Sequence, residues 1–274
     1  MGRSIFFIPP GNVAAGLEAA GVTEKESVNA FFDRHAEKYS RSASHARGKD
    51  LEAMITLLNP AKGMRALDVA TGTGFTAIEL SGAVDDVFAV DRTRGMLEQA
   101  RRLSAEREAA GIQFVLGDST ALPFGDASFD IATCRRAAHH FREKEPFLRE
   151  VHRCLVPGGR LALVDMVSPE GFENIFNGLE RTRDSSHEEA ETVDRWKQLI
   201  GSGGFDVTDV EVEEESVSFE KWLYPVGADT EEGGKSRLFL EDAGDEFREA
   251  IGYDAERDTF VKRRAVIIAS KRMS

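Results

Sequence analysis

The sequence predicts an α/β chain: a parallel sheet with helices on both faces. The first of three observations is the stretch from Arg65 to Leu80. An apolar run ending at Ala70 enters Thr71-Gly72-Thr73-Gly74, and Phe75 to Leu80 then reads as a helix stopped by Gly82. Strand, glycine turn and helix bring a ligand against bare backbone N–H groups at a helix N-terminus. Glycine is needed where the chain turns tightly and where a side chain would block the ligand. The second observation is that apolar and helical segments alternate from Arg65 to Met166. The third is that the apolar segments are continuous, as in strands buried on both faces. Ligands in such a sheet sit at the carboxyl ends of the strands, near the point where strand order reverses.

Each element follows from its local chemistry. Residues 1–25 carry Pro, Gly and Ala with little pattern and are expected to be loosely held. Ser27 can cap a helix whose Phe31, Phe32, His35 and Tyr39 share a face. After a polar break, Leu51, Met54, Ile55 and Leu58 recur at helical spacing until Asn59-Pro60. Residues 26–60 are therefore expected to form a helical cover over one mouth of a site. Val87 to Val90 is a strand ending at Asp91. Thr93 can cap a helix with Met96, Leu97, Ala100 and Leu103 inward, closed by Gly111. Ile112 to Leu116 is a third strand, followed by Gly117-Asp118-Ser119, and Phe129 to Cys134 is a fourth. Pro146 opens a helix with Phe147, Leu148, Val151 and Leu155 inward. Pro157-Gly158-Gly159 stops it before a fifth strand, Arg160 to Met166.

The last third changes character. Thr192 to Ile200 reads as a helix, Phe205 to Glu213 as a strand, and Phe260 to Ser270 as the final strand. Between the two strands, Glu214 to Phe260 holds 14 acids and 5 bases with no clean helical period. Residues 214–259 are expected to form an acidic insertion, either a lid or a solvated surface excursion.

Composition bounds the function. At 274 residues, one domain with a subdomain is expected. A net charge of −13 argues against a nucleic-acid backbone as partner. Cys134 and Cys154 have no metal spacing and no disulfide framework, which fits a reducing compartment. The one N-terminal apolar run, Ile5 to Ile8, is too short for a signal peptide or a span, so a cytoplasmic protein with no membrane partner is expected.

Two cofactors compete for the turn. Gly72-x-Gly74-x-x-Ala77 with Asp91 downstream matches a dinucleotide fingerprint, which would make the chain an NAD(P)-dependent oxidoreductase. S-adenosylmethionine has the same adenosine half and needs the same acid, but carries an amino-acid tail and no pyrophosphate.

Other segments separate them. Leu67-Asp68-Val69-Ala70-Thr71-Gly72-Thr73-Gly74 resembles the first motif of the class I S-adenosylmethionine-dependent methyltransferases, especially their UbiE-like small-molecule branch. Ala70 stands at that motif's usual first glycine. Val90-Asp91 with Gly95-Met96-Leu97 resembles the second motif. Gly117-Asp118-Ser119, Leu122-Pro123-Phe124 and Asp126-x-Ser128-Phe129-Asp130 resemble the loop leading into the fourth strand. Arg149-Glu150-Val151 and Leu155-x-Pro157-Gly158-Gly159 resemble the helix and turn before the fifth. More narrowly, Cys134 to Phe141 and Arg181 to His187 resemble a group of small bacterial-type methyltransferases. That group has a paired histidine and a later Arg-Asp-Pro-Ser-His run, with Ser185 replacing the proline here.

The resemblance implies a Rossmann-like sheet of seven strands with the last antiparallel. It implies methyl transfer from S-adenosylmethionine to a small-molecule acceptor. The implied cofactor set is Asp68, Ala70, Thr71, Gly72, Gly74, Asp91, Arg92, Met96, Asp118, Ser119 and Arg135. Asp68 would anchor the methionine ammonium and Asp91 would accept from both ribose hydroxyls. Arg92 and Met96 would flank the adenine, whose amino group would fall to Asp118 and whose ring would lie near the Ser119 amide. Arg135 would close over the cofactor or attract an anionic substrate. His139 and His140, after the fourth strand, and His187, from the later segment, are the candidate bases or orienting groups. Arg183, Asp184 and His187 also fit a helix start. No metal is expected. A non-catalytic S-adenosylmethionine-binding protein and a macromolecule-modifying enzyme are the remaining alternatives, and the oligomeric state is open.

Overall fold

The computed structural model describes residues 28–40, 46, 48–224 and 226–273. The segment 1–25, the Ser27 cap and the side chains of Phe31 and His35 lie outside the described residues. Two helices come first, α1 (Val28–Ser40) and α2 (Lys49–Leu58). The alternating half follows: β1 (Arg65–Val69), α3 (Phe75–Ser81), β2 (Asp86–Asp91), α4 (Arg94–Glu106), β3 (Ile112–Leu116), β4 (Phe129–Arg135), α5 (Lys144–Cys154) and β5 (Leu155–Met166). The remainder is α6 (Glu173–Arg183), α7 (Val193–Ser202), β6 (Phe205–Ser218), α8 (Phe219–Trp222), α9 (Glu231–Asp242), α10 (Asp245–Ala250) and β7 (Thr259–Lys271).

The seven strands form one sheet in the order β3-β2-β1-β4-β5-β7-β6. Strands β1 to β5 pair in parallel, and β7 runs antiparallel to both its neighbours. Strand order reverses between β1 and β4, so the carboxyl ends of these two strands open the crevice where a ligand can enter. Both faces are covered, because alternate residues of each strand point to opposite sides. Leu67 of β1, Ala132 and Cys134 of β4 and Ile267 of β7 pack into one core with α5 and α7. Ala66, Ile131 and Ile268 pack into the other with Met54 and Leu58 of α2. Burying side chains of this kind stabilises by about 1.5–3 kcal/mol each.

Four local expectations are corrected. Helix α5 ends at Cys154, and the fifth strand begins at Leu155 instead of Arg160. Helix α4 stops at Glu106, well before Gly111, and Thr93 at its start makes no capping bond. Strand β6 continues past Glu213 to Ser218, because its acids meet bases across the ladder: Arg263 Nε donates to Glu214 at 2.8 Å and Arg264 to Glu215 at 3.1 Å. Opposite charges facing each other on paired strands favour pairing. The stretch up to β7 is also not without helices. It holds α8, α9 and α10 around a third core that includes Phe219, Trp222, Leu240, Phe247 and Phe260. Thr230 caps α9, accepting from Gly233 N at 3.1 Å.

Candidate active site

Two adjoining cavities lie at the switch point, sharing Phe32, Tyr39, Arg136 and His140 as walls. The first, of about 120 Å³, is lined by Ala70, Thr71 and Gly72 after β1, by Asp91, Arg92, Thr93 and Met96 after β2, and by Arg135 to Ala137 after β4. Asp91 ties the first two loops together. One carboxylate oxygen accepts from Gly72 N and the other from Thr93 N, both at 2.8 Å. A carboxylate has about four acceptor sites, so with these bonds and one from the Thr93 side chain it keeps acceptor capacity for a ligand. Burial raises the Asp91 carboxyl above its ordinary value despite those two donors.

The two glycines of the turn do different work. At Gly72 (φ +56°) nothing lies within 4 Å of where a Cβ would stand, which leaves the backbone open to the cavity. At Gly74 (φ +85°) a Cβ would stand 3.0 Å from Ala100 Cβ, so this glycine lets α3 pack on α4 and does not line the cavity. Ala70 and Arg136 both hold a left-handed φ of 54°. That backbone costs a non-glycine residue about 1–2 kcal/mol, and both residues stand in the wall of the site, where strain tends to gather.

Asp68 lies behind the turn and outside both cavity walls. It is 1% exposed, and its oxygens accept from Thr133 Oγ1 and Thr71 Oγ1, each at 2.6 Å. Burial pushes its carboxyl up to about 6, against the pull of the two hydroxyls. Thr71 connects it to the cavity. Asp118 and Ser119 are not brought to the cavity at all. Asp118 Oδ1 accepts from Thr120 N and Thr120 Oγ1 at 2.8 Å, so the side chain builds its own turn. Met96 is both core and wall, being 4% exposed, and Arg92 is an exposed rim residue. Cys134 is fully buried, and burial holds its thiol well above the ordinary value.

Arg135 reaches the cavity from beside an ion cluster that the sequence reading missed. Asp50 of α2 is fully buried and takes four N–H bonds: from Arg135 Nε (2.8 Å) and Nη2 (3.0 Å), and from Arg136 Nε (2.8 Å) and Nη2 (2.6 Å). Burial alone would raise the Asp50 carboxyl, but the two guanidinium charges hold it well below the carboxylate range. The available signal was an acid on an apolar stripe, since Asp50, Met54 and Leu58 share one face of α2.

The histidines separate by role. His139 and His140 sit in a 3-10 turn, Ala138–His140, directly after β4. His139 Nδ1 lies 2.5 Å from Asp165 Oδ1, and its backbone N donates to Asp165 Oδ2 at 2.8 Å. Burial pushes the Asp165 carboxyl up, but the His139 charge and hydrogen bond bring it net below its ordinary value. Asp165 was not anticipated either, because it stood next to last in an apolar strand. His140 packs against His139 (ring centroids 4.0 Å) and edge-on to Phe32 (4.9 Å). Its Nδ1 lies 3.1 Å from Ser186 O and Oγ, and burial with the neighbouring His139 charge lowers its pKa to about 4.

His187 belongs to neither cavity wall. It is 1% exposed, with Nε2 2.7 Å from Asn177 Oδ1. Asn177 is itself oriented by Ala190, whose N–H donates to Oδ1 at 2.7 Å while its carbonyl accepts from Nδ2 at 3.2 Å. His187 Nε2 therefore carries the hydrogen, and burial lowers its pKa to about 3. Its ring lies 5.6 Å from that of His139. The Arg183, Asp184 and His187 run marks the end of α6, with Asp184 as its C-cap, so the helix-start expectation is also corrected. Among the described residues no cluster of His, Cys, Asp or Glu could hold a metal, and no helix is long and apolar enough to cross a membrane.

Comparisons with known proteins bear on the family and the fold. A family described as a methyltransferase domain matches residues 67–163. The uncharacterised methyltransferase YcgJ of Bacillus subtilis is 33% identical over 222 residues, which is 80% of this chain and 88% of that one. A demethylmenaquinone methyltransferase of Clavibacter sepedonicus is 35% identical over 146 residues, 52% of this chain and 59% of its own. The crystal structure of the Bacillus subtilis YcgJ protein superposes with a TM-score of 0.78 at 29% identity, covering 83% of this chain and all (100%) of that one. Fold and relatives thus define a class I S-adenosylmethionine-dependent methyltransferase. Within that class the chain belongs to the methyltransferase-domain family that includes YcgJ.

Proposed function

We propose that the chain binds S-adenosylmethionine in the first cavity and methylates a small organic molecule, releasing S-adenosylhomocysteine. The observation that carries the reading is Asp91, held by two backbone N–H groups beside the open Gly72. Its remaining acceptor capacity suits ribose hydroxyls. Met96 offers an apolar wall for the adenine, and Arg92 stands at the rim. Asp68, acting through Thr71, sets a negative field for the ammonium of the amino-acid tail. Arg135 flanks the same cavity.

When bound, the cofactor supplies a methyl group already activated on a sulfonium, open to in-line displacement. The protein's own task is to align the acceptor and remove its proton. His139 is the base in this reading: Asp165 fixes its Nδ1 side and leaves Nε2 to receive the proton. His140, neutral at pH 7 with a pKa of about 4, orients the acceptor. Phe32 and Tyr39 of α1 wall both cavities, which supports a covering role for residues 26–60. Residues 214–259 supply Lys221, Trp222 and Tyr224 to the second cavity, so the insertion contributes wall to the site.

Titration calorimetry with S-adenosylhomocysteine, with NADH run alongside, tests the cofactor. Micromolar affinity for the first, about −8 kcal/mol, and none for the second is expected. Binding of NADH alone would overturn the assignment. In the same experiment Asp91→Ala is expected to weaken binding by about 2–3 kcal/mol, through loss of charge-assisted bonds to the ligand and slackening of the turn. Unchanged affinity would remove Asp91 from the ribose role.

Asp68 predicts a pH dependence. Its folded pKa of about 6 lies above the ordinary value of 3.8, so the free protein holds an extra proton between those values. Folding stability accordingly falls as pH rises through that window. A cationic ammonium nearby favours the charged carboxylate, so affinity for S-adenosylhomocysteine should be roughly tenfold lower at pH 5 than at pH 7, with up to one proton released on binding. Calorimetry in two buffers of different ionisation heat reads this out. A flat profile without proton release would detach Asp68 from the ammonium.

A further inference from the structure

The second cavity, of about 140 Å³, carries an unusual charge balance. Its wall holds five cationic side chains, Arg136, Arg183, Lys221, Lys262 and Arg264, against the carboxylates of Asp165 and Asp184. Most of these charges are already matched. Arg136 is bound by Asp50, Arg183 by Glu180, and both Lys221 and Arg264 by Glu215, while Asp165 is engaged by His139. Asp184 caps its own turn, accepting from Ser186 N at 2.9 Å and Ser186 Oγ at 2.5 Å.

Two donors remain over. The Lys262 side chain forms no hydrogen bond or ion pair among the described residues, although it is partly buried. Burial, together with the like charges of Arg183, Arg264 and Arg136, lowers its pKa to about 7 against the pull of Glu180. Arg183 is 9% exposed, and its Nε–H is buried with no acceptor among the described residues. A half-buried ammonium with no hydrogen-bond acceptor and an orphan guanidinium N–H in one cavity wall are costly unless something fills them. A ligand oxyanion would supply an acceptor to both, and charge-assisted bonds of that kind are among the strong ones.

We propose that this cavity is the acceptor subsite and that the methyl acceptor bears an oxyanion, a carboxylate or a phosphate, held by Lys262 and Arg183. The assignment rests on the methyltransferase reading above. His139 and His140 line the same cavity, so an acceptor anchored at the cationic end presents its nucleophile toward them and toward the first cavity.

The test uses the full chain with and without S-adenosylhomocysteine, at constant ionic strength, with inorganic phosphate and benzoate as probes in calorimetry. At least one probe is expected to bind the wild type, and which of the two binds identifies the anion. Lys262→Met should weaken that binding by about tenfold or more, whereas Lys262→Arg should largely keep it. Removing an unpaired charge should leave Lys262→Met folded, and thermal melting checks this. Its affinity for S-adenosylhomocysteine should be unchanged. If neither probe binds, or if Lys262→Met binds as well as the wild type, the acceptor inference is overturned while the cofactor assignment stands. If the probes bind but S-adenosylhomocysteine does not, the cavity is an anion site and its acceptor role falls with the methyltransferase reading.

Discussion

Asp50→Ala is expected to destabilise the protein by about 3–5 kcal/mol, because it removes the buried carboxylate that Arg135 and Arg136 share. The corresponding fall in melting temperature is on the order of 10 °C for a chain of this size. Asp50 is fully buried and takes all four of its N–H bonds from those two arginines. The variant would remove the one carboxylate that these two adjacent guanidinium groups share. Both arginines line the first cavity, so affinity for S-adenosylhomocysteine should fall as well. The large cost belongs to breaking the cluster; replacing all three residues by apolar ones could be close to neutral. The pH dependence has a definite sign. A carboxyl held below its unfolded value stabilises the fold above that value and ceases to do so as pH falls through the folded one. The contribution therefore persists at neutral and mildly acidic pH and disappears only in strong acid. Thermal unfolding near neutrality is the measurement, and a shift of less than about 2 °C would mean that the arginines find other partners.

Asp165→Asn should lower the rate of methyl transfer by about 10²- to 10⁴-fold while sparing cofactor affinity. The carboxylate holds both the ring and the backbone of His139. An amide can neither stabilise a protonated imidazole nor dictate which ring nitrogen carries the hydrogen. Single-turnover transfer is the appropriate readout, using an acceptor found by screening phenols, quinones, amines and thiols. Wild-type turnover in this variant would remove the His139–Asp165 pair from the chemistry. A matched loss of S-adenosylhomocysteine binding would instead mean that Asp165 only supports the loop.

What could be read from the sequence follows from how local each signal is. Strands β1, β2, β4 and β5 announce themselves because burial on both faces leaves continuous apolar runs, and Asp91 stands out as the acid that ends one of them. The Asp50 cluster is different: Asp50 and Arg135 are 85 positions apart, and nothing near either residue names the other. Asp165 was hidden by its position at a strand end, where an acid needs no explanation. The acids of Glu214 and Glu215 read as a surface loop because their partners, Arg263 and Arg264, lie across a ladder from the final strand. Asp118 is the opposite case: a familiar motif position with one carboxylate oxygen engaged in its own turn and no place in the cavity wall.

The place of β6 at the end of the sheet has a consequence for how the molecule meets its own copies. A 14-residue outermost strand exposes a long row of unpaired backbone groups, a template onto which a second β6 could dock. Six of its residues are acids, Asp206, Asp209, Glu211, Glu213, Glu214 and Glu215, and β7 supplies bases to several of them from one side only. Two such strands brought together would align carboxylates with carboxylates. Part of the chain's negative charge thus acts as a guard against aggregation, and its strength should weaken in acid and in concentrated salt.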